Sequence, residues 1–213
     1  VAILKQEIDH LCELGVSVVQ FDEPVLTEVI FSHHQTRSFM CAALSEKQDF
    51  ASELQFAKSL ITQIFEYARN KNIKTALHVC RGNWSKDESV LLRGPYTSLV
   101  DLFESALPDI LMLEFSTPRA GELSSLLESK ILRQKCILGL GVINPRSDEV
   151  ETVDQIVQRA EKALNFLPPE QIWLNPDCGF ATFSNRPLNG LDIIEAKLKV
   201  LNEAKSILRE RYV

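Results

Sequence analysis

TALHVCRGNWS, residues 75 to 85, closes an apolar run with a histidine and a cysteine two positions apart and turns at once into Arg-Gly-Asn-Trp. Side chains two apart on a strand point to the same face, so His78 and Cys80 project together if this run is a strand. The same abrupt change recurs along the chain. Apolar, β-branched segments at 16–21, 74–79, 109–115, 136–143 and 172–174 read as five strands, and four of them end in polar groups. These ends are Phe21-Asp-Glu-Pro24, His78-Val-Cys80, Glu114-Phe-Ser116 and Asn175-Pro-Asp-Cys-Gly179, with no matching clusters on the N-terminal sides.

Each segment is followed by a helical pattern. Before the first, Ala2, Ile3, Ile8, Leu11, Cys12 and Leu14 fall at helical spacing, and Gly15 stands as a stop. Ser45-Glu-Lys-Gln48 reads as a capping box opening a helix to Asn70, and Ser147-Asp-Glu as the start of another reaching about Phe166. Strict alternation of strand and helix predicts a parallel α/β fold, whose ligands sit beyond the carboxyl ends of the strands. The polar clusters therefore mark a site.

Composition narrows its chemistry. The chain has 213 residues, 45% of them apolar and 24% charged, enough for one globular domain with a sizeable core. A net charge of −6 argues against sequence-independent nucleic-acid binding, which depends on basic surface. Five cysteines, an odd and sparse set, suit reduced thiols and a cytoplasmic location better than a disulfide framework. The sequence shows neither a membrane-spanning apolar stretch nor a basic-then-apolar leader. It opens on Val1-Ala-Ile-Leu-Lys, already inside an amphipathic pattern, as a cut through a longer protein would.

Zinc accepts both imidazole and thiolate, although a lone His-x-Cys at a strand end is more often packing than a ligand pair. Two further residues favour a metal. Cys178 lies in a polar loop rather than among the apolar neighbours a structural cysteine prefers, and Glu114 interrupts an apolar run where a carboxylate needs a partner. Cys12 and Cys136 read as core, Cys41 is undetermined, and His33-His34 read as solvated residues of a long connection.

The combination Asp22-Glu-Pro-x-Leu-x-Glu28, His78-x-Cys80, Glu114 and Asn175-Pro-Asp-Cys178-Gly resembles the catalytic domain of cobalamin-independent methionine synthase. It is similar also to the wider group of zinc-dependent thiol methyltransferases that share a (β/α)₈ barrel with uroporphyrinogen decarboxylase, and its His-Val-Cys-Arg-Gly-Asn-Trp wording to the shorter members of that group. The resemblance implies Zn²⁺ held by His78, Cys80, Glu114 and Cys178, with Asp22 on the amino group of a homocysteine-like thiol and Glu28 toward a folate-type methyl donor. Arg81 and Trp84 either flank that site or pack and solvate the loop.

Two departures accompany the resemblance. Methionine synthases place a proton-donating histidine after a late Gly-x-Gly-Val turn, whereas Gly139-Leu-Gly-Val-Ile-Asn-Pro-Arg-Ser147 has none and brings Arg146 near that position. Arginine stays charged and is a poor general acid, which leaves Glu149, Asp148 or a water for the proton. Secondly, a complete barrel usually takes about 250 residues. Residues 1–213 are thus expected to be its C-terminal portion, about five βα units, with uncovered edges open to self-association. A thiol alkyltransferase using another donor, such as an epoxide or a corrinoid partner protein, and a non-catalytic zinc-binding fragment are the competing readings.

Overall fold

The computed structural model describes residues 1–31 and 49–213. Five strands, β1 (Val18–Glu23), β2 (Lys74–Val79), β3 (Ile110–Leu113), β4 (Ile137–Ile143) and β5 (Ile172–Pro176), form one sheet in sequential order. Every pairing is parallel. Around them run α1 (Ala2–Glu13), α2 (Leu26–Phe31), α3 (Phe50–Asn70), α4 (Val100–Ala106), α5 (Ser124–Leu127), α6 (Lys130–Lys135), α7 (Val153–Leu164) and α8 (Leu191–Tyr212). Sequential parallel order, each strand reached through helical connections, is the local topology of a β/α barrel, and the expected α/β class holds.

The core explains the alternation in the sequence. Leu77, Val79, Leu111, Leu113, Leu138 and Leu140 are buried with Ile64, Phe65 and Ala68 of α3, Leu102, Phe103 and Ala106 of α4, and Ile156 and Val157 of α7. Pairing carries one row across all five strands, Asp22↔His78↔Met112↔Gly139↔Trp173, and this row belongs to the other face. At its ends Asp22 is exposed and Trp173 is 45% exposed, since β1 and β5 are the sheet's edges.

Helix ends bear out one of the sequence expectations and correct another. The α1 stop is as expected: Gly15, at φ +79°, donates to the Cys12 carbonyl and Val16 to that of Leu11, the double hydrogen bond of a Schellman ending. Helix α3 is capped by Asp49, which accepts from the amides of Ala51 and Ser52; the Ser45–Gln48 box lies outside the described residues. Helix α7 starts at Val153, not Ser147, through a reciprocal capping box between Thr152 and Gln155. Ser147 instead turns its hydroxyl to the Glu149 amide, and the buried Lys197 ammonium of α8 ties down the intervening loop through the carbonyls of Asn144 and Glu149 and the Glu151 carboxylate. Strand β1 runs two residues later than expected, because Asp22 and Glu23 pair with His78 and Val79 inside the ladder.

Candidate active site

His78 and Cys80 stand at the carboxyl end of β2, as the period-two reading required. The His78 Nδ1 lies 3.3 Å from the Met112 carbonyl on β3. Donation there leaves Nε2 with its lone pair free, and that atom is 3.3 Å from the Cys178 sulfur. The two sulfurs of Cys80 and Cys178 are 3.4 Å apart. After Cys80 the chain must turn sharply. Gly82, at φ +102°, makes the turn, and its amide donates to the Cys80 sulfur at 3.2 Å. A Cβ at Gly82 would fall 2.2 Å from the Trp84 ring, so the ring lies against this backbone where only glycine fits.

The ligand atoms of His78, Cys80 and Cys178 all lie within 4.8 Å of one another, the one such metal-competent group among the described residues. Their electrostatics suit a cation. The hydrogen bond with Cys178 drives the Cys80 thiol well below its ordinary pKa and the Cys178 thiol well above, so the pair shares a proton that a metal would displace. Burial works against the His78 imidazolium, but its hydrogen bond to Cys80, with the Cys80, Glu114 and Asp22 charges, outweighs burial and raises its pKa.

Glu114 stands just outside that group. Its Oε1 accepts from the Arg81 amide at 2.7 Å and is 3.5 Å from the Cys178 sulfur, and its Oε2 accepts from Arg119 Nη2 at 2.8 Å. Arg146 Nη1 lies 3.5 Å from the same Oε2. The Glu114 carboxyl, 1% exposed, is pushed up to about 8, first by burial and then by Asp177 and Cys80, with Arg146 and Arg119 pulling the other way.

Behind these residues lies a network that sequence reasoning missed. Asp177 Oδ1 accepts from the amides of Phe115 and Ser116, and its Oδ2 from the Ser116 hydroxyl and from Arg146 Nη2. This ties the loop bearing Cys178 to the end of β3 bearing Glu114. The Asp177 Oδ1 would be 2.3 Å from a Cβ on Gly141, so glycine in β4 makes room for the carboxylate. Arg146 also pairs with Glu88, which bridges it to Arg119. Its neighbourhood to the site was foreseen; its burial in ion pairs was not. For Asp177 the signal was present in Asn-Pro-Asp-Cys-Gly, whereas nothing in the sequence links Arg119 or Glu88 to it.

The other candidates divide. Asp22 lines an open cleft together with Gln20, His78, Cys80, Met112, Asn175 and Cys178, and accepts a hydrogen bond from Gln20 at 2.8 Å. Glu28 is buried in α2, next to Thr27, whose hydroxyl donates to the Cys80 carbonyl. Arg81 is fully buried with its guanidinium 3.9 Å from the Tyr96 ring centre and is not among the residues lining the cleft. Cys136 is core, its thiol donating to the Pro108 carbonyl, and Cys12 is half-buried on α1. Cys41, His33 and His34 lie outside the described residues. A larger apolar groove along β5, α7 and α8 contains none of the candidate ligands.

Comparison with known proteins agrees with this architecture. A methionine synthase of Pyrococcus abyssi is 27% identical over 184 residues, covering 86% of this chain and 43% of the relative. One from Sulfolobus acidocaldarius is 30% identical over 177 residues, covering 83% and 40%. The chain thus spans less than half the length of these curated relatives. The structure of a B12-independent methionine synthase from Shewanella sp. W3-18-1, in complex with selenomethionine, superposes with a TM-score of 0.70 at 20% identity, covering 98% of this chain and 53% of that one. That likeness supports the partial barrel. The family described as cobalamin-independent synthase, catalytic domain, matches residues 1–189, and this chain belongs to it.

Proposed function

We propose that residues 1–213 are the C-terminal portion of a β/α-barrel methyltransferase that binds zinc and moves a methyl group from a 5-methyltetrahydrofolate-type donor to the thiol of homocysteine. The observation that carries this reading is the convergence of His78 Nε2 and the sulfurs of Cys80 and Cys178 at strand ends. One imidazole and two thiols suit zinc better than magnesium or calcium, and the second contacts fit as well: a carbonyl on His78 Nδ1 and an amide on the Cys80 sulfur. His78, Cys80 and Cys178 would hold the ion, with Glu114 beside them. When bound, zinc supplies Lewis acidity that turns a neutral thiol into a thiolate nucleophile near neutral pH.

The chain's own residues then orient the reactants. Asp22, exposed on the same register row as His78, is placed to pair with the ammonium of an amino-acid thiol. Glu28, buried in α2 next to the Thr27 that holds the Cys80 carbonyl, is assigned to the donor side. Arg146 delivers no proton to the departing amine, since its guanidinium is committed to Asp177 and Glu88. Asp148 is exposed and paired with Lys86, and among the described residues neither it nor Glu149 lines the cleft. That same commitment of Arg146 favours a second reading, a thiol alkyltransferase whose donor needs no protonated leaving group. Thiols 3.4 Å apart must also stay reduced to bind metal, the condition of the cytoplasm.

The test is metal analysis of the purified full-length protein together with methyl transfer to homocysteine from several donors. About one zinc per chain is expected, with loss of the metal in Cys80→Ser and in Cys178→Ser. Wild-type zinc content in both variants would remove the proposed centre.

A further inference from the structure

Asn175, near the end of β5, carries an acceptor that nothing among the described residues uses. Its Nδ2 donates to the Pro176 carbonyl at 2.8 Å, and because a carbonyl can only accept, that bond fixes which end of the amide is oxygen. Oδ1 therefore points the other way, where it is buried and meets no hydrogen-bond donor among the described residues. A glycine defines the place it points to. A Cβ on Gly139 would run into the Met112 sulfur and lie 3.1 Å from Asn175 Oδ1, so the thioether and the amide oxygen close over the same bare spot on β4. Both Met112 and Asn175 line the open cleft. An amide oxygen taken out of water without a donor is costly, and its cover here is the end of an unbranched side chain that changes rotamer readily.

We propose that Asn175 is a substrate-binding residue whose Oδ1 accepts from an uncharged ring N–H of the methyl donor, the reactant moving the Met112 thioether aside as it enters. This rests on reading the protein as a methyltransferase with a 5-methyltetrahydrofolate-type donor, whose reduced pterin ring presents such N–H groups. Charge assigns the partner. An ammonium gains most from a carboxylate, which Asp22 offers on β1, whereas a neutral amide oxygen suits a neutral N–H and requires no charge to be desolvated. Position agrees with this division. Strands β1 and β5 are the two edges of the sheet, so Asp22 and Asn175 reach the shared cleft from opposite sides, one for each reactant. A donor without N–H groups, such as an epoxide, would leave the Asn175 oxygen without a partner, and the acceptor therefore discriminates between the two donor classes.

The experiment compares the purified full-length protein with its Asn175→Leu variant by calorimetry, using 5-methyltetrahydrofolate and homocysteine as separate ligands, with zinc content measured alongside. Leucine keeps the size of the side chain and removes the acceptor. The variant should bind 5-methyltetrahydrofolate about three- to tenfold more weakly, the effect of one lost hydrogen bond, with homocysteine affinity and zinc content unchanged. Should Asn175→Leu not fold, Asn175→Ala deletes the same oxygen with less steric change and should show the same selective loss. A loss confined to homocysteine would make the acceptor a contact of the thiol substrate and overturn the assignment. Equal losses for both ligands would reduce Asn175 to a structural residue, and unchanged affinities would deny it any part in recognition; either result overturns the proposal. A wild-type protein that binds homocysteine but not 5-methyltetrahydrofolate would instead overturn the folate-type donor, and with it the reading on which the assignment rests.

Discussion

Asp22 and His78 are neighbours across the β1–β2 ladder, yet only His78 is among the potential ligands, so the proposed substrate contact and the proposed metal ligand can be tested apart. Asp22→Asn should therefore leave zinc content unchanged while weakening homocysteine binding, read by calorimetry on the zinc-loaded protein. An unchanged affinity would return Asp22 to a plain strand-end carboxylate. The cysteines divide just as sharply. Burial pushes the Cys136 thiol up to about 12, whereas the Cys80 thiol is lowered by its bond to Cys178. Reactivity follows the thiolate, so iodoacetamide at pH 7 should label Cys80 in the metal-free protein and spare Cys136, as peptide mass spectrometry would show. The sign for stability follows too. A thiol whose folded pKa is raised stabilises the fold at and below its unfolded pKa, about 8.5, and this contribution is lost as pH rises toward 12.

At the scale of elements, the site depends on how closely strand ends approach one another. Strand β4 contributes no ligand, but Gly141 lets Asp177 pass and bind the end of β3; an added Cβ would meet the Asp177 carboxylate at 2.3 Å and the Leu113 carbonyl at 2.7 Å. Gly141→Ala should cost about 1–3 kcal/mol in denaturant unfolding and lower zinc affinity, because the loop bearing Cys178 is displaced. Thr152→Ala is the contrast. It removes the α7 capping box, costs about 1 kcal/mol, and should leave zinc affinity unchanged. Equal effects of both substitutions on zinc would mean that Gly141 acts only through global stability.

For the whole molecule, β1 and β5 are the outer strands of the sheet, and Val18, Gln20 and Asp22 of β1 lie exposed. Beside β5 the apolar groove runs past Trp173, Leu198 and Tyr212. Parallel strands with free backbone groups next to apolar surface invite further pairing. The chain of residues 1–213 by itself is expected to self-associate and to transfer no methyl group, since part of the surface that aligns donor and thiol would be missing. Light scattering across a concentration series checks the first expectation and a homocysteine methylation assay the second. A monodisperse monomer with turnover would refute both. Among the described residues no helix is long and apolar enough to cross a membrane.

What the sequence determined by itself follows from short-range periodicity. The alternation of apolar runs and helical stripes sets the parallel α/β class, and the two-residue period of β2 places His78 and Cys80 on one face before any contact is known. The meeting of Cys178 with that pair, 98 residues away from Cys80, was legible only through the polar ends of successive strands and the family resemblance they carry. Tertiary structure alone decided the rest. Whether Glu114 faces a metal or a guanidinium depends on Arg119 and Arg146, which are brought to it from separate loops. The path of the loop after β4 was likewise settled by Lys197, reaching from α8, while the start of α7 rests on the local Thr152–Gln155 capping box. A buried carboxylate takes whichever partner three-dimensional packing delivers, and that choice leaves no periodic trace in the chain.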